Sequence, residues 1–205
     1  MRYRVAIATA AAVVAITAFT TGCSSNTADA PTPAQSSASQ TVTGNAAEIA
    51  FAQLMIPHHQ QAVEMADLAL QDSDSAQIKS LATQIKSAQG PEITQMQGWL
   101  TQWGAPTGMP TTADSGDMPG MDMGGMSSDG MMTSEQMSSL ESARGADFNK
   151  MWLEMMISHH EGAIQMAQDV KAQATNPQVV QLADDIIASQ TAEIATMKKE
   201  LANQG

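Results

Sequence analysis

Met55-Ile56-Pro57-His58-His59 returns as Met156-Ile157-Ser158-His159-His160, 101 residues further along the chain. The same offset pairs Ala62 with Ala163, Met65 with Met166 and Ala66 with Ala167. It goes on to pair Leu81 with Leu182, Ile85 with Ile186, Gln89 with Gln190 and Glu92 with Glu193. It ends with Ile93 and Ile194, Met96 and Met197, and Leu100 and Leu201. No gap is needed, and chance does not hold one register so long, so the chain contains a duplication.

Each copy reads as a helical hairpin. The spacing of apolar residues predicts helices over roughly 46–71 and 75–103, and again over roughly 142–174 and 177–203. Asn45 with Glu48 has the form of an N-cap and its reciprocal partner, and Asn176-Pro177 places proline at a first helical position. Short connections make antiparallel neighbours, so the expected whole is an all-α four-helix bundle made of two duplicated hairpins. Aromatic residues are only 3 % of the chain, which leaves Ala, Met, Leu and Ile to fill the core.

All four histidines lie in the two His-His pairs. With Met55 at zero on a helical wheel, His58 falls at about −60° and His59 at about +40°. Phe51, Ala62, Met65 and Ala66 share that stripe, which is about as wide as a core-facing helix surface. Both histidines therefore point inward, one toward each side. On the following helix Gln89 and Glu92 interrupt an otherwise apolar stripe of Leu81, Ile85, Ile93, Met96 and Leu100. A carboxylate in such a place is costly unless it is paired or bound to metal. Glu92 and Glu193 either ligate a metal or orient a ligating imidazole.

Between the repeats, Gly104 to Thr133 is rich in Gly, Asp, Ser and Pro and holds Met109, Met118, Met121, Met123, Met126, Met131 and Met132. A polar linker has no packing need for so many thioethers, so it reads as a flexible segment, with Met118, Met121 and Met123 as soft-metal donors. In the helices, Met55, Met65, Met96, Met156, Met166 and Met197 are candidates for both core and ligand. Imidazole suits several transition metals, whereas thioether selects Cu(I) or its heavier relative silver. A His/Met set without cysteine points to copper, Cu(I) first and Cu(II) second. Zinc would recruit Cys or a further His, and calcium or magnesium an oxygen cage.

The N-terminus gives the expected compartment. Arg2 and Arg4 precede an uncharged run from Val5 to Phe19, too short for a membrane span, and Gly22-Cys23 follows with the form of a lipobox. Thr20 departs from that form, which favours Leu or Val. The expected organisation is a signal peptide over 1–22, a lipidated Cys23 with a disordered tether to 44, and the duplicated domain over 45–205. Within it lie a repeat over 46–104, the linker over 105–133 and a repeat over 142–205. The protein would be exported and lipid-anchored at the outer face of the cell membrane or in the envelope. Cys23 is the only cysteine, so the mature fold has no internal disulfide. Removing Arg2 and Arg4 takes the net charge from −12 to −14, which excludes a nucleic-acid partner and favours cations.

The paired Met-Ile-x-His-His-x-x-Ala-x-x-Met-Ala segments, each followed by Gln-x-x-Glu-Ile-x-x-Met, resemble the domain of unknown function 305 family, as does Met118-Pro-Gly-Met121 between them. The resemblance runs from about Glu48 to Leu201. It implies a ferritin-like bundle, often exported, with some members similar to copper-binding envelope proteins that use His and Met. His58, His59, His159, His160, Met55, Met65, Met156 and Met166 fall on its motif positions. Trp152 stands where the family usually has Phe, as at Phe51. The expected function is copper or silver sequestration and transfer, without catalysis, with a second copy of the chain or a copper-handling protein as partner. Three rivals are a di-metal oxidoreductase, a helical module without metal, and a sensor or chaperone acting on a partner protein. The first needs Glu-x-x-His pairs, and this sequence has none.

Overall fold

The computed structural model describes residues 43–108 and 130–204, so the signal segment, Cys23, most of the tether and Met118, Met121 and Met123 lie outside the described residues. The described residues form five helices and no strand. They are α1 (Ala46–Asp72), α2 (Ala76–Trp103), α3 (Ser134–Ser142), α4 (Gly145–Lys171) and α5 (Pro177–Ala202). None of them is long and apolar enough to cross a membrane.

α1 starts as its sequence requires: Asn45 accepts from the Glu48 N–H at 2.9 Å, and the Glu48 carboxylate accepts from the Asn45 N–H at 2.8 Å. Ser75 caps α2 and Asn176 caps α5, with Pro177 just inside. The second repeat departs from the reading at its start. A single helix over 142–174 was expected, but the chain forms α3, breaks at Ala143-Arg144 in extended conformation, and begins α4 only at Gly145. Gly145 takes φ +58°, a left-handed setting that glycine reaches without a Cβ penalty. α3 escaped the sequence pattern because its apolar face is only Met137 and Leu140.

α1 packs on α2 and α4 on α5, and the two hairpins meet mainly through α1 and α4; α2 and α5 touch far less. The core divides into two clusters. One gathers Ala62–Ala69 of α1, Ile78–Ile85 of α2, Phe148–Ile157 of α4 and Ile194 and Met197 of α5. The other gathers Phe51–Ile56 of α1, Met96–Leu100 of α2, Ala163–Val170 of α4 and Val179–Ile186 of α5. Adding 101 to the α1 and α2 members of the first gives the α4 and α5 members of the second. The duplication is thus a pseudo-twofold relation that exchanges the two ends of the bundle. It makes α1 and α4 antiparallel, and it leaves a waist between the clusters on every long helix.

Two polar ties cross the hairpins at equivalent places. Glu48, only 1 % exposed, accepts from the Thr175 and Asn176 N–H groups at 2.7 Å each, which pins the start of α1 to the α4–α5 turn. Its equivalent Asn149 accepts from the Ser73 hydroxyl at 2.7 Å and donates to Asp74 at 2.8 Å, which pins α4 to the α1–α2 turn. Trp152 is fully buried, and its indole N–H donates to the Met65 carbonyl at 2.8 Å, so the larger ring is accommodated without a stranded donor.

The end of the linker corrects a further expectation. The segment up to Thr133 was read as flexible, yet Gly130 to Met132 is docked on the bundle. Met132 is 9 % exposed within the first core cluster. The Gln61 side chain holds its backbone on both sides, donating to the Met132 carbonyl at 2.9 Å and accepting from its N–H at 2.7 Å.

Candidate metal centre

The waist is where the four histidines lie, and all of them are buried. His58 on α1 and His159 on α4 face each other across the hairpin interface, with ring centroids 3.7 Å apart and planes inclined by 40°. These are equivalent positions of the two repeats, so this contact marks the pseudo-twofold relation. His59 and His160 turn the other way, toward the second helix of their own hairpins. His59 Nε2 lies 2.7 Å from Glu92 Oε2, and His160 Nε2 lies 2.9 Å from Glu193 Oε2.

A carboxylate only accepts, so in the neutral ring Nε2 carries the proton and Nδ1 keeps a lone pair. Nδ1 of both His59 and His160 is buried without a hydrogen-bond partner among the described residues. Gln89 and Gln190 lie in the same layer, 2 % exposed each, with their carbonyl oxygens also lacking partners. Glu92 and Glu193 sit nearer the rim, their side chains 17 % and 15 % exposed. His159 is held neutral. Burial pushes its pKa well below 6.5, positive charge on His58, His160 or His59 would push the same way, and contact with the His58 backbone opposes this only in part.

Thioethers flank the imidazoles on both sides. Met55 and Met156 precede His58 and His159 by three residues, one helical turn away on the same face. Met55, Met96 and Met166 belong to one core cluster, and Met65, Met156 and Met197 to the other; none is more than 2 % exposed. Among the described residues no three His, Cys, Asp or Glu side chains converge as a closed cage of hard or borderline ligands would require. A metal held here would need thioether or amide donors beside imidazole.

The sequence reading missed three features of this layer. One is the tilted ring contact of His58 with His159. Another is the docking of Gly130, which takes φ +89° over α4. A Cβ there would come within 2.7 Å of the Ser158 carbonyl and 3.1 Å of the His159 carbonyl. The last is the Gln61 clamp. Its signal was present: the repeat identity fails at this position, where Gln61 is paired with Gly162, and the hypothetical Cβ on Gly130 would lie 3.0 Å from the Gly162 Cα.

A duplicated helical bundle with a histidine waist defines the class, and comparison with known proteins gives the family. The profile of the Domain of unknown function (DUF305) matches residues 48–201. The chain belongs to this family. Among solved structures it is similar to a DUF305 protein of Streptomyces coelicolor that carries a provisional description as secreted. That match has 32 % identity and a TM-score of 0.68, covering 78 % of this chain and 92 % of that one. A DUF305 fragment from Deinococcus radiodurans matches at 30 % identity and a TM-score of 0.66, over 78 % of this chain and 99 % of that one. CopM in its Cu(II)-bound form matches at 34 % identity and a TM-score of 0.62, over 77 % of this chain and 97 % of that one. CopM is also known in Cu(I)-bound, Ag-bound and apo forms. No curated protein matches the chain.

Proposed function

We propose that this protein binds copper, Cu(I) in preference and Cu(II) or silver as well, at its waist, and sequesters it or passes it on in the cell envelope. One observation carries the reading. Two buried imidazoles are each oriented by a glutamate through Nε2, and each keeps an Nδ1 unpartnered among the described residues, in a layer bordered by buried thioethers. Glutamate behind histidine is the usual way to fix a ligating tautomer and raise its basicity. In this reading His58, His59, His159 and His160 supply nitrogen, Met55, Met65, Met96, Met156, Met166 and Met197 supply sulfur, and Glu92 and Glu193 orient rather than ligate. Met118, Met121 and Met123 capture metal ahead of the waist. The likeness to CopM, solved with both copper states and with silver, supports the same choice of metal. Cys23 would tether the protein to the membrane, and Cys23→Ala should release it.

The test is metal analysis and anaerobic Cu(I) and Ag(I) titration of the purified protein. If the two repeats bind independently, replacing His58 and His59 together by Ala should remove about half of the histidine-dependent metal, with His159 and His160 holding the rest. Binding should weaken in acid, because the ligands must be neutral and protons compete with the metal for them. Full metal retention after all four histidines are replaced would rule the waist out and favour a purely structural role for the His–Glu pairs.

A further inference from the structure

The pseudo-twofold relation allows the methionines of the two ends to be compared position by position. Met65, Met156 and Met197 at one end correspond to Met166, Met55 and Met96 at the other. The first end carries four more. Met132, Met137 and Met155 belong to its cluster, and Met151 packs against it. The repeat offers Leu54 opposite Met155 and Ala50 opposite Met151, while Met132 and Met137 stand in the linker and α3, outside the duplicated segments. Leu54 fills the equivalent place at the other end, so packing alone does not ask for sulfur.

These extra methionines also differ in position. The six that flank the waist are at most 2 % exposed, whereas Met132, Met137 and Met155 are 8–9 % exposed, at the rim of the core. Their setting is fixed where it meets the waist. Gln61 grips the Met132 backbone with two hydrogen bonds, Gly130 rests on the Ser158 and His159 carbonyls, and Met155 lies one turn before His159 on the same helix face. Met151 lines a surface hollow between α3 and α4, together with Asp147 and Glu154. Methionine has three rotatable side-chain bonds, so neighbouring thioethers adapt readily to a common ligand.

We propose that Met132, Met137 and Met155 form a second, thioether-only site for a soft monovalent cation, Cu(I) or Ag(I), at the corner where the linker rejoins the bundle, with Met151 at its mouth. The site rests on the copper-handling reading and extends it, because it stands where the described end of the linker, Gly130 to Met132, meets the bundle beside the waist. Thioethers carry no proton to lose, so this site keeps its cation in acid and keeps it without the histidines.

The experiment is an Ag(I) titration of the full chain, with and without its four histidines, at about pH 7 and about pH 5. Equivalents are counted by native mass spectrometry, and each methionine is followed through its ε-methyl carbon resonance. The acid-resistant silver should fall by one equivalent in M132L/M137L/M155L, where Leu is close to Met in volume. The same equivalent should survive replacement of all four histidines. In the unaltered protein the methyl resonances of Met132, Met137 and Met155 should shift together, which tests the site even if the triple variant folds poorly. Unchanged acid-resistant silver in the triple variant, or three resonances that stay still, overturns this site and leaves the waist standing. No silver bound at either pH overturns both.

Discussion

Glu48→Gln is an isosteric change whose cost can be worked from three hydrogen bonds. One carboxylate oxygen accepts from the Thr175 and Asn176 N–H groups, and the other accepts from the Asn45 N–H. An amide has a single acceptor oxygen. If it keeps the turn, its NH2 group faces the Asn45 N–H, donor against donor. The two retained bonds fall from charge-assisted to neutral strength, a loss of roughly 1 kcal/mol each, and a stranded donor costs about 1–3 kcal/mol. The Asn45 N–H is only partly buried, which holds the sum to about 2–4 kcal/mol. For a domain of this size that is a fall in Tm of roughly 5–15 °C. Acid gives an independent check. Burial raises the Glu48 pKa, but the bonds from Asn176, Asn45 and Thr175 outweigh it and hold it below the ordinary 4.5. The stability Glu48 contributes is therefore present above that value and lost as pH falls through the lowered one. Glutamine does not titrate, so the gap between the two proteins should narrow in acid. Urea unfolding followed by circular dichroism at neutral pH and below about pH 4 measures both effects. Equal stability at neutral pH, or a gap that acid does not change, would refute the argument.

Trp152→Phe removes the bond to the Met65 carbonyl while keeping the ring type found at Phe51, so the unfolding free energy from urea titration should fall by only about 1–2 kcal/mol. Changing Met109, Met118, Met121, Met123 and Met126 to Ser should reduce bound Cu(I) and leave the metal-free Tm in place. Met132→Ser should lower that Tm, because Met132 is packed in the core. Imidazole nitrogen NMR should find His159 still neutral where an exposed histidine is protonated. Since its folded pKa is the lower one, the unfolded chain takes up the proton first, and stability declines as pH drops below about 6.5.

Most of the fold was legible because the duplication repeats its own helix caps and apolar periods. Asn45 with Glu48 and Asn176 with Pro177 marked helix starts that the structure shows at those residues. The wheel placed His58 and His59 at the two sides of one inward stripe, and the structure turns one toward the other hairpin and one toward its own partner helix. What remained hidden depends on contacts that a repeat cannot announce. α3 has too few apolar residues to declare a period. Gly130 reads as one more linker glycine until α4 is seen beneath it. Glu48 and Asn149 differ in charge because the turns they meet differ: one presents backbone N–H donors, the other a hydroxyl and a carboxylate.

The waist is also the place where local preference and global packing disagree, and such disagreement in a natural fold points to function. Above and below it the core clusters are apolar, yet this layer holds four imidazoles and two glutamines, and the carbonyl oxygens of both glutamines lack partners among the described residues. Among the described residues Gln89 lacks partners for its amide nitrogen as well. A buried polar group left unsatisfied costs roughly 1–3 kcal/mol, and replacement by an apolar side chain of similar shape removes that cost. Gln89→Met should therefore make the metal-free protein more stable, raising its Tm by several degrees. If the polar layer is kept for a cation, the same substitution should reduce the further stabilisation that Cu(I) or Ag(I) gives, since a ligand stabilises only through its affinity for the folded state. Thermal unfolding of both proteins with and without silver separates the two effects. A variant less stable than the parent without metal would mean that Gln89 is satisfied after all, and that the waist is ordinary core.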